Sequence, residues 1–183
     1  MKRKNTIQAR LGLMIVRNKK RAVPKQKASL LFLVKGDEIL LAMKKRGFGR
    51  GRFNGVGGKP EGKEKIEQTA KRETKEEIGV SPKKIQEVAK LNFYFPEKQE
   101  WNQQVIVYYC YNWQGRPRET EEMKPKWFNR FDLPYKRMWP DDKLWLPHVM
   151  EGKYVNANFV FGEGDLIADY NIEIKNKRHL TKK

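Results

Sequence analysis

Between Gly47 and Ile78 the chain changes character abruptly, and that change constrains the fold more than any other feature of the sequence. From Gly47 to Gly62 glycine is so frequent that neither a helix nor a strand is favoured, because each glycine brings backbone freedom that folding must remove. This stretch runs directly into Lys65–Ile78, which contains no Gly or Pro and consists of good helix formers. Gly79 follows as a C-terminal stop. The chain must therefore fold around a flexible loop leading into a well-defined helix.

The flanking segments supply strands. Leu30–Val34 and Ile39–Met43 are apolar runs of strand length, and Lys35-Gly36-Asp37-Glu38 between them reads as a hairpin. Further strands are expected at Val88–Phe95, Val105–Tyr111, Lys126–Phe128, Asn158–Phe161 and Leu166–Ile174. A second helix is expected over Asp141–Met150, capped by Asp141 or Asp142 and interrupted by Pro147. Strands with two helices in this irregular order predict an α+β sandwich with a mixed sheet.

A chain of 183 residues fits one such domain with tails, here residues 29–174 flanked by a basic extension, 1–28, and a basic tail, 175–183. The net charge of +18 resides mostly in these ends. Residues 1–27 hold six lysines, four arginines and no acid, and the last nine residues add five basic side chains, leaving about +3 for the body. Arg17-Asn18-Lys19-Lys20-Arg21 is open to three readings: a nucleic-acid-binding or nuclear arm, part of a mitochondrial presequence, or a solvated tail. The Leu11–Val16 run is too short for a secretory core, and no stretch approaches the roughly 18 apolar residues of a membrane span. The single cysteine, Cys110, excludes an internal disulfide and reads as a buried strand thiol. His148 and His179 have no metal-ligand spacing.

Within the first helix, Glu73, Glu76 and Glu77 are spaced i, i+3, i+4, which places three carboxylates on one face. Uncompensated like charges at that spacing destabilise a helix. Two readings compete: an ordinary solvated acidic face, or a set of hard oxygen ligands suited to Mg²⁺. The surroundings favour the second. Gly58, Glu64, Arg72, Glu73, Glu76, Glu77, Gly79 and Val80 stand at the spacing glycine-x5-Glu-x7-Arg-Glu-x-x-Glu-Glu-x-Gly-aliphatic. This resembles the Nudix box, with Thr74 departing from the aliphatic residue expected there. The glycines around Gly57 and Gly58 let backbone approach a polyphosphate, and Arg72 can pair with Glu64 or orient a neighbouring carboxylate.

The resemblance extends beyond the box to the animal MutT-type branch of the family. It is carried by Met43–Gly49, Gly51–Gly55, Gly57-Gly58-Lys59, Glu122–Pro125, Trp127-Phe128 and Met138-Trp139-Pro140-Asp141-Asp142, and runs from about Ser29 to Ile174. It implies an α/β/α Nudix sandwich with a mixed sheet and a loop-helix-loop. It implies metal binding by Glu73, Glu76, Glu77 and Gly57, with Mg²⁺ the expected ion and Mn²⁺ its alternative. Glu77 and Glu122 are the candidate general bases, with Arg72 assisting. The same resemblance implies a purine site in which Asn54, Asp141 and Asp142 read the base edge and Trp139, Phe48 and Phe93 pack around the ring. Ser29, Lys44, Gly57 and Gly58 would line the rest, Ser29 replacing a threonine, and Phe53 stands where a tryptophan is usual. A protonated aspartic acid in such a pocket could donate where a carboxylate cannot. For Asp141 and Asp142 the plain alternative is helix capping, and for Trp139 a core position.

The expected activity is Mg²⁺-dependent hydrolysis of oxidised purine nucleoside triphosphates, of the 8-oxo-dGTP or 2-oxo-dATP type, to the monophosphate and pyrophosphate. Two rivals stay open: a Nudix pyrophosphatase for another nucleotide or capped RNA, and a non-catalytic nucleotide- or RNA-binding module. Expected partners are the nucleotide and, weakly, nucleic acid through the basic ends. The chain is expected to act as a monomer, away from membranes, in the cytoplasm, with mitochondrial or nuclear pools as alternatives.

Overall fold

The computed structural model describes residues 21–176. Leu11–Val16, Arg17–Lys20 and His179 lie outside the described residues. The elements run β1 (Gln26–Lys35), β2 (Glu38–Lys44), β3 (Phe53–Asn54), α1 (Ile66–Ile78), β4 (Ser81–Tyr94), β5 (Gln103–Gln114), β6 (Met123–Asn129), α2 (Asp142–Met150), β7 (Lys153–Phe161) and β8 (Ile167–Asn176). The strands form one mixed sheet in the order β3-β2-β1-β5-β4-β7-β8, with β6 also paired to β2. β1 lies parallel to β5 and β4 parallel to β7, whereas β1–β2, β4–β5 and β7–β8 are antiparallel.

Strand alternation explains why the apolar runs are continuous: successive side chains enter opposite cores. In β1, Phe32 and Val34 join the core that holds Trp145, Leu146 and Val149 of α2, while Leu31 and Leu33 join Ala70 and Ile78 of α1. In β5, Val105, Val107 and Tyr109 face the α2 side and Ile106, Tyr108 and Cys110 the α1 side. The two helices thus cover opposite faces, and the architecture is the expected α/β/α sandwich. Trp145, fully buried, is the largest anchor of the α2 face, and losing it would cost on the order of 3–5 kcal/mol.

The β1–β2 hairpin closes on Gly36 and Asp37, with Gly36 at φ +58° where the turn requires a left-handed residue. Gly79 ends α1 at φ +75°, its N–H donating to the Lys75 carbonyl at 3.0 Å. Several expectations need correction: β3 forms inside the glycine-rich stretch expected to favour neither helix nor strand, and β7 starts at Lys153 rather than Asn158. β4 starts at Ser81 rather than Val88, bending through irregularities near Pro82, Lys84 and Glu87. Pro147 does not break α2, which continues to Met150. β1 starts at Gln26, pairing with Gln103, so the end of the basic extension joins the sheet. There Arg21 lies 5.6 Å from the Tyr94 ring centre and pairs with Asp169.

Candidate active site

The glycine-rich loop and α1 meet at β1. Ser29 N–H donates to the Gly58 carbonyl at 2.8 Å, and Leu31 and Val56 exchange backbone hydrogen bonds at 2.7 and 3.0 Å. These bonds hold residues 56–58 against the strand. A side chain on Gly57 would collide with the Ser29 carbonyl, and one on Gly58 with the Glu73 carboxylate. Gly57 therefore requires glycine for close approach to the strand, whereas at Gly58 an added Cβ would displace the Glu73 carboxylate.

Arg72 organises the acidic face. Its Nε and Nη2 donate to Glu64 Oε1 and Oε2, both at 3.1 Å, a two-pronged pairing that matches guanidinium to carboxylate geometry. Its Nη1 donates to Glu73 at 3.0 Å and Glu76 at 2.9 Å, and Nη2 also reaches the Lys59 carbonyl at 3.2 Å. The repulsion expected between the glutamates is thus relieved by one cation. The three carboxylates differ in setting: Glu76 is exposed, Glu73 partly buried, and Glu77 buried with Oε2 accepting the Gly57 N–H at 2.9 Å. Burial pushes Glu77 up to about 7, against the Gly57 N–H, which lowers it. Burial also raises Glu73, against the lowering influence of Arg72.

Among the described residues no three His, Cys, Asp or Glu side chains are already gathered as a metal cluster. Glu73 and Glu76 both accept from Arg72 Nη1, while Glu77 turns to the Gly57 N–H. The donor set still fits a hard divalent cation: two of the carboxylates are desolvated, and both would be stabilised in ionised form by a nearby positive ion. Glu122, half exposed, pairs with Arg46, whose guanidinium holds it below the usual carboxylate range. The Thr74 departure is absorbed locally, its buried hydroxyl donating to the Ala70 carbonyl at 2.7 Å.

A cavity of about 270 Å³ opens beside this face. All ten side chains and glycines expected to contact substrate line it: Ser29, Lys44, Phe48, Asn54, Gly57, Gly58, Phe93, Trp139, Asp141 and Asp142. At its inner end Asp141 Oδ2 accepts the Trp145 Nε1–H at 3.0 Å, and Asp142 Oδ2 accepts the Trp139 N–H at 3.0 Å. Asp141 occupies the N-cap position of α2 but makes no side-chain cap bond, whereas Asp142 accepts a backbone N–H just ahead of the helix. Burial pushes Asp141 up to about 6 and Asp142 well above its ordinary value, the latter also raised by the charge of Asp141. Asn54 Oδ1 accepts the Gly55 N–H at 2.8 Å.

Trp139 is not a plain core aromatic. Phe48 stacks on it at 4.9 Å, Phe161 meets its edge at 6.3 Å, and Phe93 stacks on Phe159 at 5.7 Å. Sequence reasoning missed Arg52, Phe95 and Phe161, which also line the cavity. Arg52 carries no signal beyond its place in a glycine-rich loop, whereas the aromatic pair could have been found from its place at the end of β7 and just beyond β4.

A sandwich with this loop, helix and acidic face defines a Nudix-type protein. A family model described as NUDIX domain matches residues 24–149, and the chain belongs to that family, a family of hydrolases that generally use a divalent metal ion. Among known proteins it is 37% identical over 145 residues to the oxidized purine nucleoside triphosphate hydrolase of Danio rerio, covering 79% of this chain and 92% of that one. It is 38% identical over 144 residues to the protein of the same name from Mus musculus, with the same coverage of 79% and 92%. In three dimensions it is similar to the crystal structure of the mutator MutT protein from Bacillus halodurans, with a TM-score of 0.72 and 24% identity over 81% of this chain and 97% of that one. No helix among the described residues is long and apolar enough to cross a membrane.

Proposed function

We propose that this protein hydrolyses oxidised purine nucleoside triphosphates to the monophosphate and pyrophosphate, using Mg²⁺, with Mn²⁺ as a substitute. The observation that carries the reading is one cavity joining two kinds of chemistry: adjacent buried carboxyls Asp141 and Asp142 at one end, and the glycines that abut α1 at the other. Adjacent aspartates with raised proton affinity can present a donor and an acceptor side by side, which suits the altered edge of an oxidised purine. Asn54 adds an amide, and Trp139, Phe48 and Phe93 supply aromatic surface.

Glu73, Glu76, Glu77 and the Gly57 carbonyl would hold the cation. When bound it would neutralise phosphate charge and acidify a water, which attacks phosphorus once its proton has passed to the base. Gly57 and Gly58 line the path of the phosphate chain, and Lys44 offers it a positive charge. Arg72 holds Glu73 and Glu76 side by side and oriented, acting as an assisting residue. Of the two candidate bases Glu77 is preferred, because Glu122 is occupied by Arg46. The folded domain of residues 29–174 acts as a monomer in the cytoplasm, with nuclear or mitochondrial pools as alternatives. The basic segments 1–28 and 175–183 add weak, salt-sensitive binding to nucleic acid.

The test is a screen of oxidised and unmodified triphosphates with Mg²⁺, reading pyrophosphate against orthophosphate. Pyrophosphate with an oxidised purine monophosphate is expected. Orthophosphate release, or turnover confined to a capped RNA end, would overturn the reading.

A further inference from the structure

We infer that Arg52 and Asp165 form a latch that holds Trp139 as the fixed wall of the base cavity, making Arg52 a positioning residue for purine binding. The inference rests on the proposed reading of that cavity as a purine site. The Arg52 guanidinium lies 4.4 Å from the centre of the Trp139 ring. Its Nη1 donates to the carbonyl of Met138 at 2.9 Å, so the same side chain grips the backbone that delivers the indole. Its Nη2 donates to Asp165 Oδ2 at 3.2 Å, which fixes the guanidinium from outside. A planar fork can make both bonds while lying against an aromatic ring, and an ammonium cannot.

The partner is itself held in an uncommon way. Asp165 follows Gly164 in the turn between β7 and β8 and has φ +60°, the only non-glycine residue at positive φ among the described residues. Asp and Asn tolerate that region better than other side chains, so the position suits a short acceptor. Gly49 packs on the indole rim, where an added Cβ would stand 3.1 Å from Trp139 Cζ2. Phe161, at the indole edge, is buried, whereas Phe48, stacked on the ring, is 56% exposed and sits between Gly47 and Gly49, both at positive φ. The groups around Trp139 thus divide into a fixed side, built by Arg52 and Phe161, and a yielding side at Phe48, from which a base can reach the indole. Arg52 also lowers the proton affinity of Asp141 and Asp142 against their dominant burial, so its charge acts on both ends of the base site.

The experiment compares wild type with Asp165→Asn, Arg52→Lys and Arg52→Gln in the full chain. One readout is steady-state kinetics on 8-oxo-dGTP. The other is the indole N–H resonance of Trp139, assigned by its absence in Trp139→Phe. Asp165→Asn is the mild variant, because Asn keeps the left-handed backbone and an acceptor and removes only the charge. We expect KM to rise about ten-fold in Arg52→Gln, the scale of one lost cation–π contact, with kcat within a few-fold. Arg52→Lys and Asp165→Asn should fall between, and the Trp139 resonance should shift or broaden in all three. An unchanged resonance, or a fall in kcat without a change in KM, overturns the latch. If wild type fails to hydrolyse 8-oxo-dGTP while the resonance still responds in the variants, the substrate reading fails and the latch stands.

Discussion

Replacing Asp141 by Asn tests whether the base end of the cavity stores ionisation energy. Asp141 is 3% exposed, and burial raises its proton affinity from an ordinary value of 3.8 to about 6. A carboxyl whose folded-state value is raised binds its proton more tightly in the folded protein than in the unfolded chain. Its contribution to stability is therefore most favourable below 3.8 and is lost as pH rises toward 6. A difference of about two units corresponds to roughly 3 kcal/mol at pH 8. Asn keeps an oxygen for the Trp145 Nε1–H and cannot ionise. Asp141→Asn should therefore be more stable than wild type at pH 8 by up to about 3 kcal/mol, or about 6–12 °C in Tm for a domain of this size. The gain should vanish near pH 4. Thermal melts at several pH values decide it: a gain independent of pH, or a loss of stability at pH 8, refutes the reasoning. The same substitution should change the ratio of kcat/KM on oxidised guanine and oxidised adenine nucleotides, because the donor and acceptor can no longer exchange.

Other perturbations separate the parts of the site. Asp142→Asn should also alter the guanine-to-adenine rate ratio while leaving phosphate-chain chemistry in place; an unchanged ratio in both variants would reduce the pair to a structural role. Glu77→Gln should lower kcat by more than about 100-fold while the melting transition survives, and near-normal turnover would remove Glu77 from the metal and base assignments. Gly58→Ala should depress activity by displacing Glu73, with a circular dichroism spectrum like that of wild type; full activity would show that the close approach is dispensable. Deleting residues 1–20 should leave mononucleotide turnover within a few-fold and weaken salt-sensitive nucleic-acid binding, whereas loss of mononucleotide turnover in a folded chain would contradict that division.

The sequence makes α1 plain because two signals agree: no Gly or Pro interrupts Lys65–Ile78, and Gly79 supplies the left-handed stop. The central strands are legible for a related reason, since residues buried on both faces leave unbroken apolar runs such as Leu30–Val34. The start of β4 is hidden because Ser81–Glu87 carries Pro82, Lys83 and Lys84 and bends through irregular pairing, so no clean period-two pattern appears. Box spacing brought the glutamates to one helix, but not their unequal burial, which depends on β1 and the loop packed against them. Arg52 was invisible because its partners are Met138, Trp139 and Asp165, all distant in sequence.

The central claim is that this cavity selects oxidised purines for cleavage of the phosphate chain. Its most direct test is the ratio of kcat/KM for 8-oxo-dGTP over dGTP, measured with Mg²⁺ and with pyrophosphate as the product read. Polar groups built to match an altered base edge should favour the oxidised nucleotide by about ten-fold or more. A ratio near one, or a preference for dGTP, would contradict the account.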